Sequence, residues 1–284
     1  FQGVNSKNRL TTLGRGGSDT TAVALAYALQ AQQCHIYTDV DGIFTADPQV
    51  VPEARKLNEI SYQAMLALSY HGAKVLQPQS IELAMACQVP VEVRSSFSPN
   101  PGTRVVKDLP TEKGLIGVSC DEDVALFIIQ QLREAKKVFP EIINAFHKEQ
   151  IPLTLSVLKK STQEEGNDFL FTVKRFQVER AKLILHELSG HYKCTQVKHI
   201  PQAANIAVVG NNITPHKKMI IETILKTLEK RQIPCYGLVR YPNKVIVIVD
   251  EKEAHDSMRF IHQAFQLGQT PAFSEHHPNV SALR

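Results

Sequence analysis

From Thr12 to Thr21 the sequence runs Thr-Leu-Gly-Arg-Gly-Gly-Ser-Asp-Thr-Thr, between a short apolar run and an alanine- and leucine-rich stretch. Glycines let a backbone turn tightly and let a ligand approach it closely. A helix beginning after such a turn presents unpaired N–H groups and the positive end of its dipole to an anion. Arg15 can hold a carboxylate or phosphate with two parallel hydrogen bonds, and Ser18 and Asp19 add polar groups at the mouth. A Gly-Ser-Asp turn is also an ordinary helix cap. This one has neither the Gly-Lys-Ser/Thr ending of a Walker loop nor the third glycine of a dinucleotide fingerprint.

Three further segments could carry chemistry. Thr38-Asp39-Val40-Asp41-Gly42-Ile43-Phe44-Thr45-Ala46-Asp47-Pro48 is rich in acids and turn formers, Gly72-Ala73-Lys74-Val75-Leu76-Gln77-Pro78 contains a cation, and Arg94-Ser95-Ser96-Phe97 precedes Pro101-Gly102-Thr103. With Leu13–Ala22, these four stretches resemble, in order and spacing, the motifs of aspartate kinases within the amino-acid-kinase family. The likeness is high over residues 1–106 and lies mainly in topology over 115–267.

The resemblance implies an ATP-dependent kinase acting on the side-chain carboxylate of L-aspartate to give 4-phospho-L-aspartate, the first step toward lysine, threonine and methionine. Mg²⁺ would bridge and neutralise the phosphates. Phe1, Arg15, Gly16 and Ser18 match positions that hold aspartate, and Asp19 matches an active-site acid that organises phosphate-binding lysines and metal. Thr38, Asp39 and Phe44 match the nucleotide loop, and Lys74 and Val75 also fall at the nucleotide. Phe44 stands where similar members carry tyrosine, and Gln49 where they carry arginine. The family's Lys-Phe-Gly-Gly motif and its acidic substrate contact appear nowhere in the sequence. Because the chain opens at Phe1 without methionine, next to a catalytic-looking loop, it reads as the C-terminal portion of such a kinase.

The elements that must position these residues follow from periodicity. Residues 1–108 alternate strand and helix: a strand at Leu10–Leu13, a helix at Thr20–Gln32, a buried strand at Cys34–Thr38, helices at Ser61–Tyr70 and Pro78–Cys87, and a strand at Val91–Arg94. Residues 95–114, rich in proline, glycine and hydroxyl side chains, read as a linker. Beyond it, Lys148-Glu149-Gln150-Ile151-Pro152 recurs 82 positions on as Lys230-Arg231-Gln232-Ile233-Pro234. Each copy spells strand, helix, strand, strand, helix. The first copy runs through Val124–Ile129, Ala135–Glu149, Leu153–Lys159, Phe169–Lys174 and Gln177–Leu188, and adds a strand at Tyr192–His199. The second runs through Ile206–Val209, His216–Arg231, Tyr236–Tyr241, Val245–Val249 and Glu251–Phe265.

The expected fold class is therefore α/β: the C-terminal part of an amino-acid-kinase sandwich (1–108), then two ferredoxin-like βαββα domains (115–203 and 204–267), with 268–284 as a flexible tail. The repeats resemble ACT domains, which pair and bind amino acids. That implies feedback by a lysine or threonine effector, better placed at Gly210–Thr214 than at the glycine-free turn 130–134, and a homo-oligomer or a partner kinase subunit. It also implies that Leu115–Cys120 supplies the strand the second copy lacks.

Composition narrows the alternatives. A net charge of +4 on 32 basic and 28 acidic residues, scattered along the chain, implies no nucleic-acid partner. No apolar run reaches the roughly 18 residues of a membrane span. Five cysteines, odd in number and far apart, read as reduced thiols of a cytoplasmic protein and give no metal site. His71 reads as a surface residue at a helix end, and His276-His277 as solvated. A non-catalytic regulatory chain is the rival reading, against which stands the intact loop at Arg15–Asp19. Another amino-acid kinase, such as one for glutamate, is disfavoured by the tandem repeats.

Overall fold

The computed structural model describes residues 2–107, 114–153, 155–160, 167–188 and 196–269. The first part is a four-stranded mixed sheet flanked by helices. Its strands β3 (Cys34–Thr38), β4 (Glu59–Ser61), β5 (Val91–Ser95) and β6 (Thr103–Val106) lie in the order β3-β5-β6-β4. β3 runs parallel to β5 and β4 to β6, while β5 and β6 are antiparallel. Helices α1 (Gly17–Ala28), α2 (Tyr62–Tyr70) and α3 (Pro78–Cys87) pack on it through Val23, Met65, Leu68, Ile81 and Ala84, all nearly fully buried. Burying each large apolar side chain stabilises the fold by about 1.5–3 kcal/mol. Ser61 caps α2 by accepting from the Ala64 N–H, and Pro78 sits in the first turn of α3, where its missing donor costs nothing.

Several local expectations change. The Leu10–Leu13 strand is β2 (Leu10–Thr12), but it pairs only with β1 (Gln2–Val4) in an exposed hairpin outside the sheet. α1 begins three residues earlier than its apolar pattern implied, because the glycine turn itself starts the helix. Strand β6 lies within the stretch read as a linker: Thr103 and Val105 are buried, and the edge of β5 supplies backbone partners that composition does not reveal.

The repeats form one six-stranded antiparallel sheet, β11-β12-β10-β7-β9-β8. The stretches 115–120 and 124–129 are not two strands but one, β7 (Gly114–Leu132), and β10 (Gln196–Asn211) likewise runs through both copies. They pair with each other along their length, with register shifts between Ile200 and Ala203 and between Ala203 and Asn205. Such bulges bend a long strand and increase its twist. The 124–132 half of β7 pairs with β9 (Asn167–Lys174), which pairs with β8 (Leu155–Lys160). The 203–209 half of β10 pairs with β12 (Lys244–Asp250), which pairs with β11 (Gly237–Arg240). Leu115–Cys120 therefore runs beside the second copy, opposite Ile206–Gly210.

Helices α4 (Ala135–Lys148) and α5 (Val178–Leu188) cover the first half through a core of Phe127, Phe146, Phe169 and Phe171. Helices α6 (Lys217–Lys230) and α7 (Ala254–Ala264) cover the second through Ile220, Ile224, Met258 and Ile261. That second core also takes in Ala46 and Val51 of the first part. The 192–195 part of the expected extra strand and the tail beyond Gln269 lie outside the described residues.

Candidate functional site

The turn before α1 is built by glycine. Gly14 and Gly16 have φ of 81° and 69°, left-handed values that a residue with a Cβ adopts only with strain. A Cβ on Gly16 would also overlap Gln77 Cγ, so the turn and the 72–78 segment meet at van der Waals contact. Among the described residues no side chain caps the helix. The Gly17 N–H reaches back to the Gly14 carbonyl at 3.3 Å. Arg15 and Ser18 are exposed and Asp19 is half-buried in the first helical turn. Ser18 Oγ donates to Asp19 Oδ1 at 3.3 Å. Among the described residues Arg15 makes no ion pair, which leaves its guanidinium available to an acidic ligand.

Thr38 ends β3, and its hydroxyl donates to Asp39 Oδ1 at 3.1 Å. Beyond it, Gly42 has φ 138° and would clash with Thr103 if it carried a Cβ. Thr103 Oγ1 accepts from the Ile43 N–H at 2.8 Å and donates to the Leu57 carbonyl at 2.6 Å. Phe44 is half-buried and bridges to Lys56. The Ser96 N–H donates to the Thr38 carbonyl at 2.8 Å. Lys74 is exposed, and Val75 packs against the main core. Cross-contacts thus join the four separated motifs in pairs: Gly16 with Gln77, Thr38 with Ser96, and Ile43 with Thr103. Phe1 lies outside the described residues.

No group of three or more His, Cys, Asp or Glu that could cage a metal by itself occurs among the described residues. Mg²⁺ is commonly held by one or two carboxylates plus substrate phosphates. The Asp19 charge, after burial, also contributes to raising the Cys34 thiol pKa.

Both loops abut the repeat region. A Cβ on Gly72 (φ 102°) would overlap the Cys120 carbonyl. His71, expected on the surface, is 3% exposed. Its Nε2 lies 2.8 Å from Lys244 Nζ in β12. Its pKa is pushed down to about 3 by burial first, then by the charges of Lys244 and Lys174. A neutral imidazole thus accepts from the ammonium, while its Nδ1 has no hydrogen-bond partner among the described residues. A helix-end position gave no sign of this, because the burying surface comes from β7 and β12, far along the chain. His262 was legible in principle: it falls on the mainly apolar stripe Ala254, Ser257, Met258, Ile261 of α7, where an imidazole is unexpected.

At the effector turn expected in the second copy, the space beside Gly210 is already filled. A Cβ there would overlap the Gly114 carbonyl and come within 2.6 Å of Ile213 Cγ2. Thr214 does not cap α6; it opens a 3₁₀ turn and donates to the Pro242 carbonyl at 3.3 Å. In the first copy Gln131 and Glu134, with φ of 54° and 50°, take the left-handed positions that glycine would otherwise fill.

A model of the amino acid kinase family matches residues 1–95. The chain is 38% identical over 278 residues to the aspartokinase of Corynebacterium glutamicum, covering 94% of this chain and 65% of that protein. It is 33% identical over 274 residues to aspartokinase 2 of Bacillus subtilis, covering 96% and 66%. The chain thus spans about two thirds of the length of these curated relatives. Among solved structures it is similar to Escherichia coli aspartokinase III in complex with aspartate and ADP, an R-state, with a TM-score of 0.77 and 26% identity over 93% of this chain and 59% of that one. The same enzyme with lysine and aspartate, a T-state, gives a TM-score of 0.69 at 26% identity, covering 93% and 58%.

Proposed function

We propose, from the premise that this chain belongs to the aspartokinase family, that it carries the aspartate loop and the nucleotide loops of an ATP-dependent kinase forming 4-phospho-L-aspartate. The observation that supports this best is the pairing of the motifs, the aspartate loop with 72–78 through Gly16 and Gln77, and the 38–48 loop with 94–103 through Thr38–Ser96 and Ile43–Thr103. Arg15 takes the aspartate α-carboxylate in a bidentate pair, with the open N-terminus of α1, Gly16 and Ser18 completing the anion site. Thr38, Asp39 and Phe44 hold base and ribose, and Lys74 with Val75 lines the phosphates. Asp19 orients the cations around the transferred group. Mg²⁺, where bound, neutralises phosphate charge, which with positioning is most of what phosphoryl transfer requires.

The complex of Escherichia coli aspartokinase III with lysine and aspartate supports an amino-acid effector for this chain. Lysine or threonine is the proposed effector, with two copies of the chain or a partner kinase subunit associating through the repeats. Calorimetric titration of the chain with aspartate, with Mg·ADP, and with lysine and threonine tests these assignments separately. Aspartate binding that survives Arg15→Ala unchanged refutes the substrate assignment. Absence of binding by both lysine and threonine below about 10 mM, a generous ceiling set at the weak end of the affinity scale, refutes the effector assignment.

A further inference from the structure

The segment Thr38–Pro48 is held from behind by the repeat region, with its hydrogen bonds to that region made by Thr45 and its apolar packing by Ala46. Thr45 is fully buried. Its N–H donates to the Arg55 carbonyl at 2.9 Å, and its carbonyl accepts from the Val118 N–H of β7 at 2.7 Å. Its hydroxyl oxygen accepts from the Arg55 N–H at 3.0 Å and lies 2.9 Å from Nε2 of His262. A hydroxyl has one proton and two lone pairs. With one lone pair given to Arg55, the remaining capacity is directed at the imidazole of α7, 217 residues away in sequence.

We propose that His262 is a positioning residue for the nucleotide segment Thr38–Pro48, fixing it through Thr45 so that nucleotide affinity depends on where α7 sits; this rests on the reading of that segment as a nucleotide loop. Three observations converge on it. His262 is 2% exposed on a helix face that it shares with Ala254, Ser257, Met258 and Ile261. A buried imidazole there costs free energy that an apolar residue would not, unless its hydrogen bond is used. Ala46, the next residue after Thr45, and Val51 are packed into the α6–α7 core, so the segment's backbone follows that core. Lastly, the 114–121 half of β7 lacks β9 as a neighbour, and Thr45 occupies that open strand edge by its bond to Val118. Gly117 permits the approach, because a Cβ there would come within 2.7 Å of the Thr45 carbonyl. A shift of α7 relative to β7 therefore pulls Thr45 between two anchors and moves the Thr38–Asp39 end.

The test uses the 284-residue chain, with hydrogen–deuterium exchange over residues 38–48 and calorimetry with Mg·ADP. His262→Leu removes the bond at similar volume, and His262→Gln keeps a side-chain amide able to reach Thr45. One buried hydrogen bond of about 1 kcal/mol corresponds to roughly a fivefold change. His262→Leu is expected to speed exchange in 38–48 and to weaken Mg·ADP about fivefold, with aspartate affinity unchanged and His262→Gln near wild type. Thr45→Val removes the same bond from the other side. It should reproduce the loss, and combining it with His262→Leu should add almost nothing. If His262→Leu does not fold, Thr45→Val and His262→Gln carry the comparison. Unchanged Mg·ADP affinity in these variants, while Mg·ADP protects 38–48 in the wild type, overturns the inference and leaves the nucleotide reading standing. Mg·ADP that binds without protecting 38–48, or no binding at all up to about 10 mM, overturns the nucleotide reading and the inference with it.

Discussion

Lowering the pH from about 7.5 to about 5 should weaken the wild-type fold by about 2 kcal/mol more than it weakens His71→Gln. His71 has a folded-state pKa near 3, against the ordinary 6.5. Above 6.5 the imidazole is neutral in both folded and unfolded chains, and the site contributes its full stability. Below 6.5 the unfolded chain gains a proton that the folded site refuses, so stability falls steadily as the pH approaches 3. Each pH unit in that window costs about 1.4 kcal/mol. Going 1.5 units below the unfolded pKa therefore costs about 2 kcal/mol from this one residue. The cause is burial first: a 3% exposed ring, in contact with the Lys244 ammonium and repelled also by the Lys174 charge, resists a further positive charge. Glutamine offers Lys244 an amide oxygen but no titrating group. Urea denaturation of both proteins at the two pH values measures the difference, with carboxylate contributions cancelling between them. Parallel pH dependence of wild type and variant would show that His71 titrates normally, and the proposed burial against β12 would be wrong.

Arg15→Ala should weaken aspartate binding by roughly 30- to 1,000-fold, the loss of one charge-assisted bidentate pair, while changing Mg·ADP affinity little; calorimetry on each ligand checks it. Gly72→Ala should destabilise by more than about 1 kcal/mol, because it combines a φ of 102° with overlap of the Cys120 carbonyl; thermal unfolding reads this directly. Lys174→Met strands the buried Asp121 carboxylate, whose two oxygens both lie 2.8 Å from the Lys174 ammonium. A loss of about 3 kcal/mol in urea denaturation is expected, and a value below about 0.5 kcal/mol would mean solvent replaces the pair. The 284-residue chain on its own should turn over aspartate at less than a tenth of an ordinary rate of about 10 s⁻¹ in a coupled ADP-release assay, since no Lys-Phe-Gly-Gly phosphate-binding stretch occurs in it.

The sequence by itself determined the local chemistry and the kinds of element. Glycines 14 and 16 announced a tight turn, the apolar stripes of α4, α6 and α7 announced helices with one buried face, and the 82-residue repeat announced two copies of one unit. These are short-range properties, set by backbone sterics and by periods of two or 3.6 residues. Which segments become neighbours was decided only by the tertiary structure. Nothing local to Leu10–Thr12 keeps it out of the main sheet, and nothing within 115–120 or 124–129 shows that they form one bent strand shared by both repeats. The burial of His71 and the contact between Thr45 and His262 depend on surfaces that arrive from 173 and 217 residues away. An imidazole's charge, partners and solvent access are properties of those surfaces, so the sequence could name the histidines but not what they do.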